Sequence, residues 1–197
     1  MTIRPTSLLK TRRFWPIFWV QFLGAMNDNI FRNALVILIT FSFANSVGWD
    51  ESTAVAAAGG LFILPFFLFS ALAGQIADRY PKHKVVQYTK FAEIILAVII
   101  SYGLWVEAPY ALLFVLFLMG TQSTFFGPIK YGILPEHLKK RELILGNALV
   151  EAATYIAILL GTVIGGVIIL RAGGVLTISA IVICVAIVGW LISWHIP

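Results

Sequence analysis

The sequence predicts an all-α membrane protein: six transmembrane helices forming one bundle over residues 1–197. Three observations carry this expectation. Sixty per cent of the residues are hydrophobic and 12% are charged. The apolar residues run on for about twenty positions at a time instead of alternating with polar ones, and at 1.5 Å per residue such runs cross a ~30 Å hydrocarbon core. Basic residues crowd into alternate connections and nearly avoid the others.

The first span is expected over Phe14–Ala44, preceded by Arg4, Lys10, Arg12 and Arg13. It is too long for a signal peptide, has a polar centre and lacks a small-residue cleavage pattern, so it is read as a retained helix. That centre is Asn27-Asp28-Asn29-Ile30-Phe31-Arg32. Ionisable groups at this depth cost about 2.5 kcal/mol or more each and are usually kept for a task. Asp28 and Arg32 stand four residues apart on one helix face and are expected to pair when nothing else is bound.

The second span is expected over Ala54–Ala77 and the third over Val85–Val106, the latter carrying Glu93. Glu93 is expected either to point into a cavity or to meet a basic loop residue such as Lys90. The fourth span, Tyr110–Ile129, carries Gln122. The polar segment Lys130–Glu142 then reads as a short amphipathic surface helix, with Leu134, Leu138 and Leu143 on its apolar face. In the fifth span, Ile144–Leu170, Asn147 and Glu151 share a face, and Gly161 and Gly165 favour close helix packing. The sixth, Val175–Trp194, contains the lone Cys184, read as a small core residue; a single cysteine makes no disulfide framework. Trp15, Trp19, Trp49, Trp105 and Trp194 lie near span ends, as interfacial anchors do.

By the positive-inside rule, the N-terminus and the connections holding Arg79, Lys82 and Lys84, and Lys130, Lys139, Lys140 and Arg141, face the cytoplasm, as does the C-terminus. The net charge of +5 is thus a topology signal, and no basic face with stacking aromatics suggests nucleic acid. His83, His137 and His195 fall in loops or at the chain end, and no nucleophile elbow, zinc-binding helix or phosphate loop occurs. Enzymatic chemistry is therefore not expected, and no cofactor or metal is implied.

The stretch Gly74-Gln75-Ile76-Ala77-Asp78-Arg79-Tyr80-Pro81-Lys82-His83-Lys84 resembles the cytoplasmic signature between the second and third helices of the major facilitator superfamily. The resemblance implies a cytoplasmic gate made by Gly74, which lets a neighbouring helix approach closely, with Asp78, Arg79, Lys82 and Lys84; a positively flanked turn serving topology alone is the alternative. Glu151, about two turns inside the cytoplasmic end of its span, is expected to belong to the inner gate together with Lys130. The chain departs from the family at Pro81, where glycine is usual. Leu116 stands where many proton-coupled members have arginine, and Gly161–Gly166 lacks the antiporter proline.

Two longer regions, Gln21–Asn29 and Pro128–Leu134 with Gly146–Ala152, resemble the lysophospholipid transporter branch of that superfamily. The resemblance implies a flippase that moves lysophospholipid, chiefly lysophosphatidylethanolamine, across the bacterial inner membrane to the cytoplasmic leaflet for reacylation. It covers the first six of the family's twelve helices, which implies a second six-helix half in the same polypeptide or in a partner chain. An acyltransferase and an acyl-carrier-protein ligase are implied as fused or neighbouring partners. The substrate or coupling residues expected on this reading are Asn27, Asp28, Asn29, Arg32, Glu93, Gln122, Asn147 and Glu151, with Arg32 meeting the phosphate and Asp28 the ammonium. A structural Asp28–Arg32 ion pair is the alternative for that pair. A different solute or drug exporter, or a membrane anchor for an acyltransferase, are the alternatives for the protein. Coupling to a proton, to sodium or to lipid imbalance stays open.

Overall fold

The computed structural model describes residues 5–42 and 48–197, and within them the chain forms helices and turns. A short α1 (Pro5–Leu9), which the sequence pattern did not announce, is followed by α2 (Trp15–Phe41), α3 (Glu51–Arg79), α4 (Lys82–Trp105), α5 (Pro109–His137), α6 (Leu143–Ile169) and α7 (Gly174–Ser193). The six long helices match the expected spans in order. Arg4, and the end of the first expected span at Ala44, lie outside the described residues.

Five of these helices, α3 to α7, are long and apolar enough to cross a membrane. The expectation of six such spans is corrected at α2, which has the length, 27 residues, but not the apolarity. Gln21, Asn27, Asp28, Asn29, Arg32 and Asn33 interrupt it. Helix α2 is tolerated because protein, and not lipid, surrounds that run: Asn27, Asp28 and Asn29 are all buried. Their burial inside the bundle is what allows so polar a helix to accompany five apolar ones.

Close backbone contact sets the helix pairs. Helix α2 lies along α6, where Cβ atoms at Gly161 and Gly165 would come within 2.5 Å of the Met26 carbonyl oxygen and 2.3 Å of the Ile30 carbonyl oxygen. The small-residue reading of Gly161 and Gly165 is thereby realised. Helix α3 packs on α5 through Gly120, whose Cβ would fall 2.2 Å from the Phe62 carbonyl oxygen. Helix α4 packs against α5 and α7.

Two apolar clusters result. One gathers Leu8, Phe14, Val86, Ile129 and Leu134 at the end of the bundle that carries Arg79, Lys82 and Lys84, called here the basic end. The other gathers Ile30, Leu35, Ile100, Leu116 and Val182 further along. On α2 the polar run falls at the boundary between them, so the fold places a polar layer between two apolar ones.

The expected amphipathic helix over Lys130–Glu142 is not separate. Helix α5 continues through Pro128 and Pro135 to His137, and a single 3-10 turn, Lys140–Glu142, leads into α6. The apolar face meets protein: Leu134 and Leu138 join the basic-end cluster, with Leu143 packed against it. Cys184 is also corrected, from core to exposed. Helix α7 turns Ile178, Val182, Ala186 and Gly189 inward, and position 184 lies on the opposite face of that stripe.

Candidate functional site

The polar layer is built from α2, α4 and α5. Asn27 Nδ2 donates to Glu93 Oε1 at 3.0 Å, and Lys90 Nζ, three residues before Glu93 on α4, donates to Glu93 Oε2 at 2.6 Å. Gln122 Nε2 donates to the Thr89 carbonyl at 3.2 Å and makes a longer 3.5 Å contact with Glu93 Oε2. Lys90 and Glu93 are 3% and 2% exposed, a fully enclosed ion pair. Such a pair persists only where further hydrogen bonds compensate its lost hydration, which Asn27 and Gln122 supply.

Asp28 has a different partner from the expected one. Ser123 Oγ donates to its Oδ2 at 2.6 Å, and its Oδ1 is buried with no hydrogen-bond partner, as is Asn27 Oδ1. Among the described residues Asp28 and Arg32 form no ion pair. Arg32 instead donates to Asn29 Oδ1 at 2.6 Å and lies over the Phe62 ring, 5.7 Å from its centroid. Helical spacing permits the Asp28–Arg32 contact, but the Asn29 amide and the Phe62 ring hold the guanidinium elsewhere.

These groups border a cavity of about 260 Å³, into which Asp28, Asn29, Lys90, Gln122, Ser123 and Lys130 project from three helices. A larger apolar groove of about 770 Å³ lies between α3, α4 and α5, with Tyr80, Lys84 and Tyr88 on its lining. Gln122 lines both. The arrangement can bind a small polar or zwitterionic group in the cavity and apolar chain in the groove.

The Major Facilitator Superfamily profile matches residues 5–197. This chain belongs to the major facilitator superfamily. It is 32% identical over 158 residues to the lysophospholipid transporter of Photorhabdus laumondii, covering 80% of this chain and 37% of that protein. With the lysophospholipid transporter of an Enterobacter species the identity is 32% over 147 residues, covering 75% and 34%. With that of Escherichia coli it is 32% over 166 residues, covering 84% and 39%. The chain thus spans under two fifths of the length of these relatives. No solved structure matches it. As a member of a transporter superfamily with membrane-crossing helices, it is a multi-pass membrane protein.

Within this superfamily member, Asn27, Asp28, Asn29, Glu93 and Gln122 come together in the polar layer, with Arg32 just behind Asn29 and Phe62. Glu93 meets Lys90 as one expectation had it, but Lys90 belongs to α4 and not to a loop. Asn147 does not join: it is exposed on α6. Glu151, one turn further along α6, accepts from Lys130 Nζ at 2.9 Å and Tyr131 hydroxyl at 2.7 Å.

The expected gate residues spread along the basic end. Lys82 pairs with Glu136, Arg79 lies over the Tyr80 ring, and Lys84 faces the apolar groove. The close approach expected at Gly74 is not made here, since a Cβ would meet nothing within 4 Å. Asp78 is exposed and has no ion-pair partner among the described residues. Arg13 and Glu142, which no motif singled out, instead form a two-bond contact at that end, 2.7 and 2.8 Å. Lys90 was expected only as a partner of Glu93 and not as a site residue; Ser123, which carries no signal of its own, was missed.

Proposed function

We propose that this chain is a six-helix half of a lysophospholipid flippase and works with a second six-helix half, in the same polypeptide or as a partner chain. Its substrate is lysophosphatidylethanolamine, delivered to the cytoplasmic leaflet of the bacterial inner membrane for reacylation. The observation that carries the reading is the polar cavity bordered by Asp28, whose Oδ1 is buried without a hydrogen-bond partner, in a chain similar to proteins named as lysophospholipid transporters.

A lysophospholipid has one acyl chain that can stay in lipid or in an apolar groove and a zwitterionic headgroup that hydrocarbon rejects. A cavity offering a carboxylate to the amine and donors to the phosphate lowers that barrier. The basic end lies in the cytoplasm on this reading. There Lys130–Glu151, Lys82–Glu136 and Arg13–Glu142 tie α5 to α6, α4 to α5 and the start of α2 to the α5–α6 connection, contacts of the kind that alternating access makes and breaks. An acyltransferase and its carrier-protein ligase then consume the delivered lipid.

Proteoliposomes containing the complete transporter and fluorescently labelled lysophosphatidylethanolamine test the reading. Outer-leaflet label should become inaccessible to a membrane-impermeant quencher faster than in protein-free vesicles, and Asp28→Asn should abolish most of that gain. Equal rates with and without protein would overturn it.

A further inference from the structure

Three charged side chains among the described residues line the polar cavity: Asp28, Lys90 and Lys130. Lys130 is engaged by Glu151 and lies over the Tyr131 ring at 4.5 Å. Lys90 is differently placed. Its ammonium carries three N–H donors, and the hydrogen bond it makes among the described residues goes to Glu93 Oε2, with the Phe126 ring 5.6 Å away.

Glu93 does not depend on Lys90 alone, because Asn27 holds its other oxygen at 3.0 Å and Gln122 approaches at 3.5 Å. The carboxylate keeps neutral donors if the ammonium turns partly away. Gly24 makes room for that ammonium on α2: a Cβ there would sit 2.4 Å from Lys90 Nζ. Arg32, the other cation of the layer, is occupied by Asn29 and Phe62.

We propose that Lys90 is the phosphate-binding residue of the cavity, sharing its ammonium between Glu93 and the phosphodiester of a lysophospholipid while Asp28 receives a headgroup amine. This assignment rests on the lysophospholipid reading and moves the phosphate contact from Arg32 to Lys90. Ser123 and Gln122, adjacent on α5, add a hydroxyl and an amide to the same wall. The Lys90–Glu93 pair is the resting state of the site, and the phosphate is a second anion on the same ammonium.

Displacement of labelled lysophosphatidylethanolamine from the purified complete transporter tests it. The competitors are unlabelled lysophosphatidylethanolamine, lysophosphatidylglycerol, a monoacylglycerol of equal chain length that lacks phosphate, and glycerophosphoethanolamine that lacks the chain. Wild type should favour lysophosphatidylethanolamine over monoacylglycerol by about tenfold or more, the scale of a charged hydrogen bond. Lys90→Met with Glu93→Gln removes both charges at nearly constant volume and should erase the preference for lysophosphatidylglycerol over monoacylglycerol, and lower that for lysophosphatidylethanolamine, whose amine contact at Asp28 remains. Lys90→Arg should retain the preference. Gly24→Ala, which keeps every charge but crowds Nζ, should reduce it. Asp28→Asn should weaken lysophosphatidylethanolamine and spare lysophosphatidylglycerol, which has no amine. Competition by glycerophosphoethanolamine as strong as by the lysolipid would mean a free-phosphate site instead of a lipid-headgroup site. A double variant that keeps the wild-type preference for lysophosphatidylglycerol over monoacylglycerol overturns the assignment to Lys90. Wild type binding monoacylglycerol as tightly as the lysolipid overturns the phosphate contact and spares the lipid reading. Wild type binding neither overturns both.

Discussion

Ser123 on α5 donates a hydrogen bond of 2.6 Å to Oδ2 of Asp28 on α2, 95 residues away in the chain, and leaves Oδ1 of the same carboxylate buried without a partner. A buried acceptor left open is costly unless something completes it. On the flippase reading the headgroup amine does so. Asp28→Asn should therefore lower lysophosphatidylethanolamine transport by about tenfold or more, the loss of a charged contact. Ser123→Ala, which removes a supporting donor and leaves the charge, should cost less. Flipping rates in proteoliposomes decide it, and a Ser123→Ala loss exceeding that of Asp28→Asn would contradict the ranking.

The Lys90–Glu93 pair makes a prediction about folding that is independent of transport. Removing one partner of an enclosed pair leaves an uncompensated charge and costs about 3–5 kcal/mol, whereas removing both is often close to neutral. Glu93→Gln alone strands the Lys90 ammonium and should lower the melting temperature in detergent clearly. Adding Lys90→Met should restore most of it. Lys90→Met alone should cost less than Glu93→Gln alone, because Asn27 and Gln122 still hold the remaining carboxylate. The four melting temperatures form one cycle, and a double variant worse than either single would contradict the account.

The helices were legible because their signal is a property of each segment: length, apolarity and a basic flank can be read without knowing neighbours. The polar run of α2 was legible for the same reason, and so were Gly161 and Gly165. The partners were not. The spacing of Asp28 and Arg32 shows that they can touch, yet a serine and an asparagine hold them apart, and nothing local to α2 announces Ser123. Lys90 was read as a loop residue because only the fold shows it on α4, 3% exposed, between Gly24, Phe126 and Glu93. Asn147 and Glu151 share a helix face, but Lys130 and Tyr131 meet only the second. Gly74 stands in the motif, yet among the described residues nothing comes within 4 Å of a Cβ built there.

Gly165 and its neighbour Gly166 offer a paired test of the α2–α6 contact. A Cβ at Gly165 would stand 2.3 Å from the Ile30 carbonyl oxygen, whereas at Gly166 its nearest neighbour is the Ile37 Cδ1 atom at 3.5 Å. Backbone cannot swing aside as a side chain can, so Gly165→Ala should destabilise by about 1–3 kcal/mol or more. Gly166→Ala meets ordinary contact, gains helix propensity, and should be neutral or mildly stabilising. Thermal unfolding of the two purified variants reads the difference, and equal melting temperatures would place the helices further apart than described.

Asp50, just before α3, accepts hydrogen bonds from the Ser52 and Thr53 hydroxyls, which hold its carboxyl below the usual carboxylate range. A lowered value means that the ionised form favours the folded turn. That contribution is present above the ordinary aspartate value of about 3.9 and is lost as the pH falls through the lowered one. Carbon-detected NMR of the Asp50 carboxyl should give a midpoint below the ordinary value, and Ser52→Ala with Thr53→Ala should raise it. A midpoint unchanged by removing both hydroxyls would show that the turn is not held this way.

Arg13 and Glu142 join the start of α2 to the connection between α5 and α6 by two parallel hydrogen bonds of 2.7 and 2.8 Å, and Arg13 also donates to the His137 carbonyl at 3.3 Å. Glu142 Oε2, which accepts from Arg13 Nη1, also accepts from the Lys139 backbone N–H at 2.9 Å, which helps to fix the orientation of the carboxylate. The fork geometry matters more than the charge, because a planar guanidinium can satisfy both oxygens and an ammonium cannot. A double-mutant cycle with Arg13→Ala and Glu142→Gln should give a coupling of about 1 kcal/mol, the upper range for a partly exposed pair. Arg13→Lys should lose most of it although the charge is kept. If lysine retained the full coupling, simple charge attraction would account for the contact, and the basic end would be held less specifically than the two-bond geometry implies.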